Sequence, residues 1–255
     1  MQIFDAILLG IIEGITEFLP ISSTGHLMAV AHARGLAGDA FASTFEIAIQ
    51  LGAMLAVIAI YPKRLLADRA VILRVAAAFL PTALLGALVY PLVKDVLLSD
   101  VRIVAYALIV GGIAIIAFER LKIARTASTE IAALPLPRAA WIGVFQAIAF
   151  IPGVSRAAAT MMSGMWLGLS RKEAIEFSFF LAVPTMAAAT ALDIMKTDAV
   201  LGGREWMLLL VGSVVAFAVA LAAIKLLIRF VEAWTLEPFG YYRIAAGLAL
   251  LALLA

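Results

Sequence analysis

Long runs without a charged residue recur along this chain, and they constrain its fold more than any other feature. They lie at residues 47–62, 75–93, 103–118, 139–155, 177–192 and 206–224. A helix needs about 20 apolar residues to cross the hydrocarbon of a bilayer, and the runs 75–93 and 206–224 reach that length unaided. Only 14% of the residues are charged, against about 25% in a soluble domain. The sequence therefore predicts an all-α integral membrane protein.

The charges between these runs predict how the chain threads the membrane. The linkers 63–74 and 119–138 are basic, whereas 94–102 is neutral and 193–205 carries a net negative charge. Because basic loops stay on the cytoplasmic side, the first pair is expected inside and the second pair outside. All four assignments are satisfied by six transmembrane helices, at about 43–61, 75–93, 102–118, 174–192, 206–228 and 241–255.

Two further apolar segments, at about 5–30 and 139–169, are interrupted by proline, glycine and serine. The interruptions fall at residues 19–25 and 151–156. Proline and glycine break helices, and broken backbone at membrane depth persists only where protein or water satisfies its polar groups. Both segments therefore fit a re-entrant hairpin, a helix–loop–helix that enters and leaves by the same membrane face.

The two interrupted segments match each other, which predicts an internal repeat. A single membrane domain is expected, with repeats of about 1–120 and 135–255 that each contain one hairpin followed by three spans. An odd number of spans inverts the second repeat, so the two hairpin loops meet near the midplane, where such folds place their binding site. The matched residues are Gly10/Gly143, Glu13/Gln146, Pro20/Pro152, Ser23/Ser155 and Phe45/Phe177.

The first hairpin carries two carboxylates in apolar surroundings. Glu13 and Glu17 are four residues apart, so they share one helix face. A carboxylate at membrane depth costs at least about 2.5 kcal/mol and by default marks a functional site. The pair predicts a divalent cation held by oxygen ligands or a general base. The alternative is a structural polar contact between helices.

Hydroxyl groups and an imidazole follow the carboxylates directly. Ser22, Ser23 and Thr24 precede His26, one of only two histidines in the chain. A hydroxyl near a histidine and a carboxylate can be activated as a nucleophile, and histidine can protonate a leaving group near neutral pH. The alternative for the hydroxyl run is a helix cap.

The second hairpin supplies the groups that an anion needs. Gly153 permits close approach of the backbone, and the helix after it would present free N–H groups. Arg156 is a planar, permanently charged fork suited to phosphate, and Ser155 and Thr160 add hydroxyl donors. By contrast, Arg243 is predicted to have a structural role near the end of a span.

The remaining composition excludes several classes of function. The chain has no cysteine, so disulfides and thiol chemistry are excluded, and a net charge of +2 does not favour nucleic acid. Residues 1–10 contain Asp5 and no basic residue, so no cleavable signal peptide is expected.

Two segments resemble signatures of a known family. Residues 13–26 (EGITEFLPISSTGH) resemble the first signature of the bacterial undecaprenyl-diphosphatases of the bacitracin-resistance type, and residues 152–156 (PGVSR) with Thr160 resemble the second. Residues 45–57, 170–184 and 238–247 also resemble this family. Ala157 and Ala158 depart from the second signature, where the family usually has serine and glycine.

The resemblance implies a phosphatase of the bacterial cytoplasmic membrane whose active site opens toward the periplasmic side. Such an enzyme hydrolyses undecaprenyl pyrophosphate to undecaprenyl phosphate and inorganic phosphate. It thereby recycles the lipid carrier for peptidoglycan and other envelope polymers and confers resistance to bacitracin. The resemblance also implies a divalent cation, magnesium or calcium, and a homodimer.

These observations give each candidate residue a hypothetical role. Glu13 and Glu17 hold the metal, and Ser23 attacks the phosphorus with Glu17 as base. His26 protonates the leaving lipid phosphate or helps to hydrolyse the phosphoenzyme. A rival assignment makes His26 the nucleophile, and a lipid transporter or flippase is the competing class of function. The residues predicted to bind substrate are Ser22, Thr24, Gly153, Ser155, Arg156 and Thr160.

Overall fold

The computed structural model describes residues 1–92, 101–123, 128–196 and 201–254, which confirm the all-α prediction. Their only β-type pairing is one backbone bridge, between Thr129 and Leu169. Short 3-10 turns occur at Ile131–Ala133 and Ala147–Phe150. The α-helices of these ranges are α1 (Ile3–Thr16), α2 (Ser23–Ala33), α3 (Ala40–Ile60), α4 (Pro62–Leu66), α5 (Arg69–Leu92), α6 (Val101–Arg120), α7 (Leu136–Gln146), α8 (Arg156–Trp166), α9 (Arg171–Lys196), α10 (Gly203–Ala233) and α11 (Glu237–Leu253).

Five of these helices are long and apolar enough to cross a membrane, namely α3, α5, α6, α9 and α10. They coincide with five of the predicted spans. The helix at the predicted span 241–255 is α11, which begins earlier, at Glu237, and contains 17 residues. It begins there because Pro238 occupies the first helical turn, where its fixed φ favours helix and its missing N–H costs nothing.

The predicted helix breaks lie where the sequence places them. Residues 17–22 separate α1 from α2, and residues 151–155 separate the 3-10 turn after α7 from α8. Each half of the chain thus contains a short helix, a loop, a second short helix and then longer helices. The linker residues 93–100, 124–127 and 197–200 lie outside the described ranges, so the predicted charge pattern is described only in part.

The outer surface of the bundle is apolar. Along α5, Leu80, Leu84 and Leu88 follow one another at intervals of four residues and are 61%, 67% and 77% exposed. A contiguous apolar stripe of this kind is unfavourable in water but suits the hydrocarbon of a bilayer. The exposed leucines therefore support a multi-pass membrane protein.

Small residues allow the helices to approach closely. The principal helix pairs are α1 with α10, α10 with α3, α3 with α9, α8 with α9, α7 with α5 and α6 with α11. A Cβ atom added to Gly143 of α7 would lie 1.8 Å from the carbonyl oxygen of Ala78 in α5. Such contacts replace the hydrophobic driving force that helices lack in lipid.

The two basic linkers meet at one end of the bundle. Arg64 of α4 pairs with Glu173 and Glu176 at the start of α9, and Arg74 donates from Nε to the carbonyl of Leu134 at 2.9 Å. The Tyr61 hydroxyl donates to Glu176 Oε1 at 3.4 Å.

Adding a methyl group at Gly143 tests the close contact between α7 and α5. We expect Gly143→Ala to lower the free energy of unfolding in detergent by about 1–3 kcal/mol, the usual cost of overpacking. Gly203→Ala is the matched control, because nothing lies within 4 Å of a Cβ added there. Equal thermal midpoints for the two variants would contradict the tight packing.

Candidate active site

The two loops end with the same backbone device. Ser22 and Ser155 have φ values of 73° and 74°, in the left-handed region that residues other than glycine seldom adopt. Each hydroxyl oxygen accepts a hydrogen bond from a backbone N–H three residues ahead, that of Gly25 and that of Ala158. The serines therefore cap α2 and α8, as the alternative interpretation of the first hydroxyl run predicted. Backbone strain of this kind concentrates at functional sites.

Arg243 of α11 fastens the two loops together. Its side chain is fully buried, and all of its hydrogen bonds go to backbone carbonyl groups. Nη1 donates to Pro20 in the first loop at 3.2 Å and to Val154 in the second at 2.9 Å. Nη2 donates to Gly153 at 2.8 Å. The remaining acceptors are the carbonyls of Ala107 and Leu108 in α6.

Glu17, Ser23 and Arg156 form the centre of the site. The Ser23 hydroxyl donates to Glu17 Oε2 at 2.5 Å, and Arg156 Nη2 lies 3.3 Å from Glu17 Oε1. The side chains of Glu17 and Arg156 are only 6% and 8% exposed. Each hairpin therefore contributes one member of a buried ion pair, and the pair holds a hydroxyl group next to a carboxylate that can take its proton.

The rest of the Arg156 guanidinium is held from α9. Nη1 donates to the carbonyl of Ser178 at 2.7 Å, and the Ser178 hydroxyl lies 2.7 Å from the Thr160 hydroxyl. Arg156 Nε is buried and has no hydrogen-bond partner among the described residues. One donor of the guanidinium is thus left for an anion. Thr160 is fully buried. Its hydroxyl contacts the Ser178 hydroxyl, so Thr160 acts on Arg156 through Ser178.

Glu13 is a buried carboxylate without a hydrogen-bond partner. It is 0% exposed, and neither of its oxygens finds a donor among the described residues. The charged groups that act on it are Glu17, Arg156 and Glu46. An isolated buried charge is very unfavourable, so these oxygens fit a cation or a proton. Among the described residues, no group of three or more His, Asp or Glu side chains gathers around them.

The matched position in the second half of the chain has partners for its amide nitrogen, but its amide oxygen Oε1 has none among the described residues. Gln146 is 1% exposed, and its amide nitrogen lies 3.1 Å from the hydroxyls of both Thr82 and Thr185. Glu13 comes three residues after Gly10, which packs against Gly212 of α10. Gln146 comes three residues after Gly143, which packs against α5. The two side chains therefore occupy corresponding points in the packing but differ in charge.

His26 is held by groups other than the central carboxylate and hydroxyl. Its Nδ1 lies 2.7 Å from the carbonyl oxygen of Ser22, and its Nε2 lies 2.7 Å from the hydroxyl of Tyr242. Thr24 is half-buried on the first turn of α2. A Cβ added to Gly153, whose φ is +94°, would lie 2.6 Å from the carbonyl of Val104. That contact explains why the second loop needs glycine.

Sequence reasoning missed three residues that organise the site, Ser178, Tyr242 and Arg243. Ser178 is a small hydroxyl in a long helix, and aromatic residues such as Tyr242 are common near span ends, so neither gives a signal. Arg243 does give one, because a charge within an apolar helix is rare. The signal was assigned to a span end, whereas the side chain lies between the loops.

Comparisons with known proteins agree with the geometry. The family described as bacitracin resistance protein BacA matches residues 6–249. The chain is 45% identical over 248 residues to the undecaprenyl-diphosphatase of Aquifex aeolicus, with 97% of each chain covered. It is 47% identical over 245 residues to that of Thermus thermophilus, with 95% of this chain and 94% of the relative covered. It is 48% identical over 248 residues to that of Persephonella marina, with 97% of each covered.

Replacing Arg243 tests whether it holds the loops. We expect Arg243→Lys to lower the free energy of unfolding by at least about 2 kcal/mol, because one ammonium group cannot reach carbonyls in both loops and in α6. Arg120→Lys is the control, since Arg120 is exposed and bonds only exposed or half-buried partners of α11. Unfolding in detergent that is the same for both variants would show that the loops do not depend on Arg243.

Proposed function

The chain belongs to the family of bacitracin resistance protein BacA, and we propose that it hydrolyses undecaprenyl pyrophosphate. The products are undecaprenyl phosphate, which returns to the carrier pool for cell-wall synthesis, and inorganic phosphate. This activity confers resistance to bacitracin. The proposal rests above all on the contacts of Glu17, whose carboxylate lies beside the Ser23 hydroxyl and the Arg156 guanidinium.

Ser23 is the nucleophile of the proposed reaction. Its hydroxyl proton passes to Glu17 Oε2, along the hydrogen bond already present, as Oγ attacks the terminal phosphorus. The bond from this phosphorus to the bridging oxygen breaks, and undecaprenyl phosphate leaves. Water then releases inorganic phosphate from the phosphoserine. Most of the acceleration comes from positioning and charge neutralisation.

The second loop binds the pyrophosphate. Arg156 is already paired with a carboxylate, and two oxygens of the tetrahedral phosphate can accept from its guanidinium in a similar bidentate way. Ser155 accepts a hydrogen bond through its oxygen and keeps its own proton for a phosphate oxygen, as does Ser22 in the first loop. Gly153 and the first N–H groups of α8 bring the backbone close, and Thr24 adds a hydroxyl.

His26 acts on the leaving group in this scheme. Its Nε2 is held by Tyr242, whereas the Ser23 hydroxyl is held by Glu17. This division supports Ser23 as the attacking atom and His26 as the proton donor to the departing lipid phosphate. In the rival assignment, with His26 as nucleophile, the lone pair of neutral Nε2 would have to leave its hydrogen bond with Tyr242 before it attacked the phosphorus.

Glu13, with Glu17, would hold the divalent cation, magnesium or calcium. Two protein carboxylates with substrate phosphate oxygens and water are an ordinary ligand set for such ions. The ion would neutralise charge on the phosphate oxygens, and the unpartnered oxygens of Glu13 fit that ligand role.

We also propose the arrangement of the enzyme in its membrane. Six spans and two re-entrant hairpins in an inverted repeat are supported by the matching order of helices and by the matching caps at Ser22 and Ser155. The basic linkers support a cytoplasmic position for the end that carries Arg64, and hence a site that opens toward the periplasmic side. The family resemblance supports the bacterial cytoplasmic membrane and a homodimer.

A phosphate-release assay on purified protein in detergent tests the function and the cation together. We expect undecaprenyl pyrophosphate to yield inorganic phosphate without a membrane gradient, chelator to abolish release, and magnesium or calcium to restore it. Glu13→Gln should lower the rate by about a hundredfold or more and weaken the restoration by added cation. Lipid binding without phosphate release would instead support a lipid transporter.

Trapping the covalent intermediate identifies the nucleophile. With substrate labelled in its terminal phosphate, we expect an acid-stable phosphoserine at Ser23, and at least about a thousandfold loss of activity in Ser23→Ala. Ser163→Ala is the control, because that buried hydroxyl bonds carbonyls within its own helix. An acid-labile label that disappears in His26→Ala would establish histidine as the nucleophile.

A further inference from the structure

Tyr242 contacts His26 of α2 in two ways. Its hydroxyl oxygen lies 2.7 Å from His26 Nε2. The two rings also stack, with centroids 5.6 Å apart and planes 6° from parallel. A hydrogen bond fixes the distance of one atom, whereas a parallel stack fixes the plane of the whole imidazole. Together they leave the ring little freedom to turn.

The hydrogen bond of Nδ1 determines the tautomer of neutral His26. A carbonyl oxygen can only accept a hydrogen bond, so Nδ1 must donate to the Ser22 carbonyl at 2.7 Å. Neutral His26 therefore has its lone pair on Nε2, and the Tyr242 hydroxyl donates to it. Protonated His26 donates from Nε2, and the same hydroxyl accepts. One hydroxyl thus holds Nε2 in both protonation states. An oxygen of the lipid phosphate must replace the hydroxyl as the acceptor of Nε2–H when the proton is transferred.

The position of Tyr242 is fixed by its neighbour in sequence. Arg243 is buried between the loops and bonds the carbonyls of Pro20 and Val154. The backbone of α11 at this point is therefore tied to the same two loops that hold the centre of the site. Close packing of α11 against α6, where a Cβ on Gly112 would lie 2.5 Å from the Gly240 carbonyl, restricts it further.

The surroundings of the pair suit a lipid leaving group. His26 also lines a cleft of about 130 Å³ between α2, α6 and α11. The other lining residues are three alanines, three leucines and one glycine, so His26 has the only polar side chain there. His26 thus adjoins an apolar surface that suits a prenyl chain and lies three residues after Ser23, which suits a proton donor to a prenyl phosphate.

We propose that Tyr242 is a positioning residue that keeps His26 in the ring orientation and tautomer from which Nε2 can protonate the departing lipid phosphate. This inference rests on the proposed function, because it assigns Tyr242 to the leaving-group step of that reaction. Tyr242 acts through His26 and makes no bond to substrate. No step before departure of the lipid phosphate depends on its hydroxyl, so substrate binding should be largely independent of it.

Paired substitutions test the proposal in the full-length protein in detergent. Tyr242→Phe keeps the ring and removes the hydroxyl, and it should lower kcat about tenfold while KM stays within about twofold. Tyr242→Leu removes the stack as well and should lower kcat further. Tyr241→Phe is the matched control, because that hydroxyl bonds Arg120 at 2.5 Å on another side of α11. It should leave kcat unchanged.

Nitrogen-15 NMR provides a measurement that general loosening of the fold would not produce. The chain has only two histidines, so His32→Gln leaves a single labelled imidazole. Tyr242→Phe in that background should shift the Nε2 resonance of His26 and leave Nδ1 in place, whereas Tyr241→Phe should shift neither. An unchanged Nε2 resonance, or a kcat within twofold of wild type in Tyr242→Phe, would overturn the proposal.

The two measurements also separate this inference from the proposed function. If the wild-type protein released no phosphate, the function would fail, while the NMR comparison would still report whether Tyr242 holds Nε2. If phosphate were released normally and only KM rose in Tyr242→Phe, the enzyme would stand and the positioning role would be wrong. Thermal midpoints of all variants are measured alongside, and Tyr242→Phe should melt close to wild type because its ring is retained.

Discussion

The hydrogen bonds of the buried Arg243 guanidinium are the contacts on which the site depends most. Breaking a helix inside a membrane leaves carbonyl groups without N–H partners, and burying an arginine leaves a charge without solvent. Here each problem solves the other, since the carbonyls of Pro20, Gly153 and Val154 become the acceptors of the guanidinium. Because none of the acceptors of Arg243 is a carboxylate, Glu13 and Glu17 are not paired with it.

The distribution of charge within the site follows from this arrangement. Arg156 has one carboxylate partner, Glu17, and a carbonyl partner, Ser178, so it is fixed without being neutralised completely. Glu13 is buried nearby and unpartnered. Such incomplete pairing is unfavourable for folding and leaves Arg156 Nε and both Glu13 oxygens without a partner among the described residues. The strained caps at Ser22 and Ser155 lie beside the same cluster, and strain of this kind concentrates at functional sites.

Particular elements show how far the sequence predicts this structure. Uncharged runs locate α3, α5, α6, α9 and α10, and the Pro–Gly interruptions locate both loops, because these depend on local chemistry. The motif residues Glu17, Ser23 and Arg156 do come together. The partners of Arg243 and His26 could not be predicted, because they are backbone carbonyls or residues more than a hundred positions away. Hydropathy predicts a span at about 241–255, whereas α11 begins at Glu237, because Pro238 favours a helix start ahead of the apolar residues.

The amide at Gln146 makes the two similar halves of the chain chemically different. If both halves carried the same side chains at matched points, each would bring the same charge to the site. At corresponding points, however, one half carries the unpartnered acid Glu13, and the other carries a neutral amide held near Thr82 and Thr185. Both carboxylates near Ser23 and Arg156 therefore come from the first half of the chain, and the two halves contribute different chemistry to one cluster even though their helices follow a similar order.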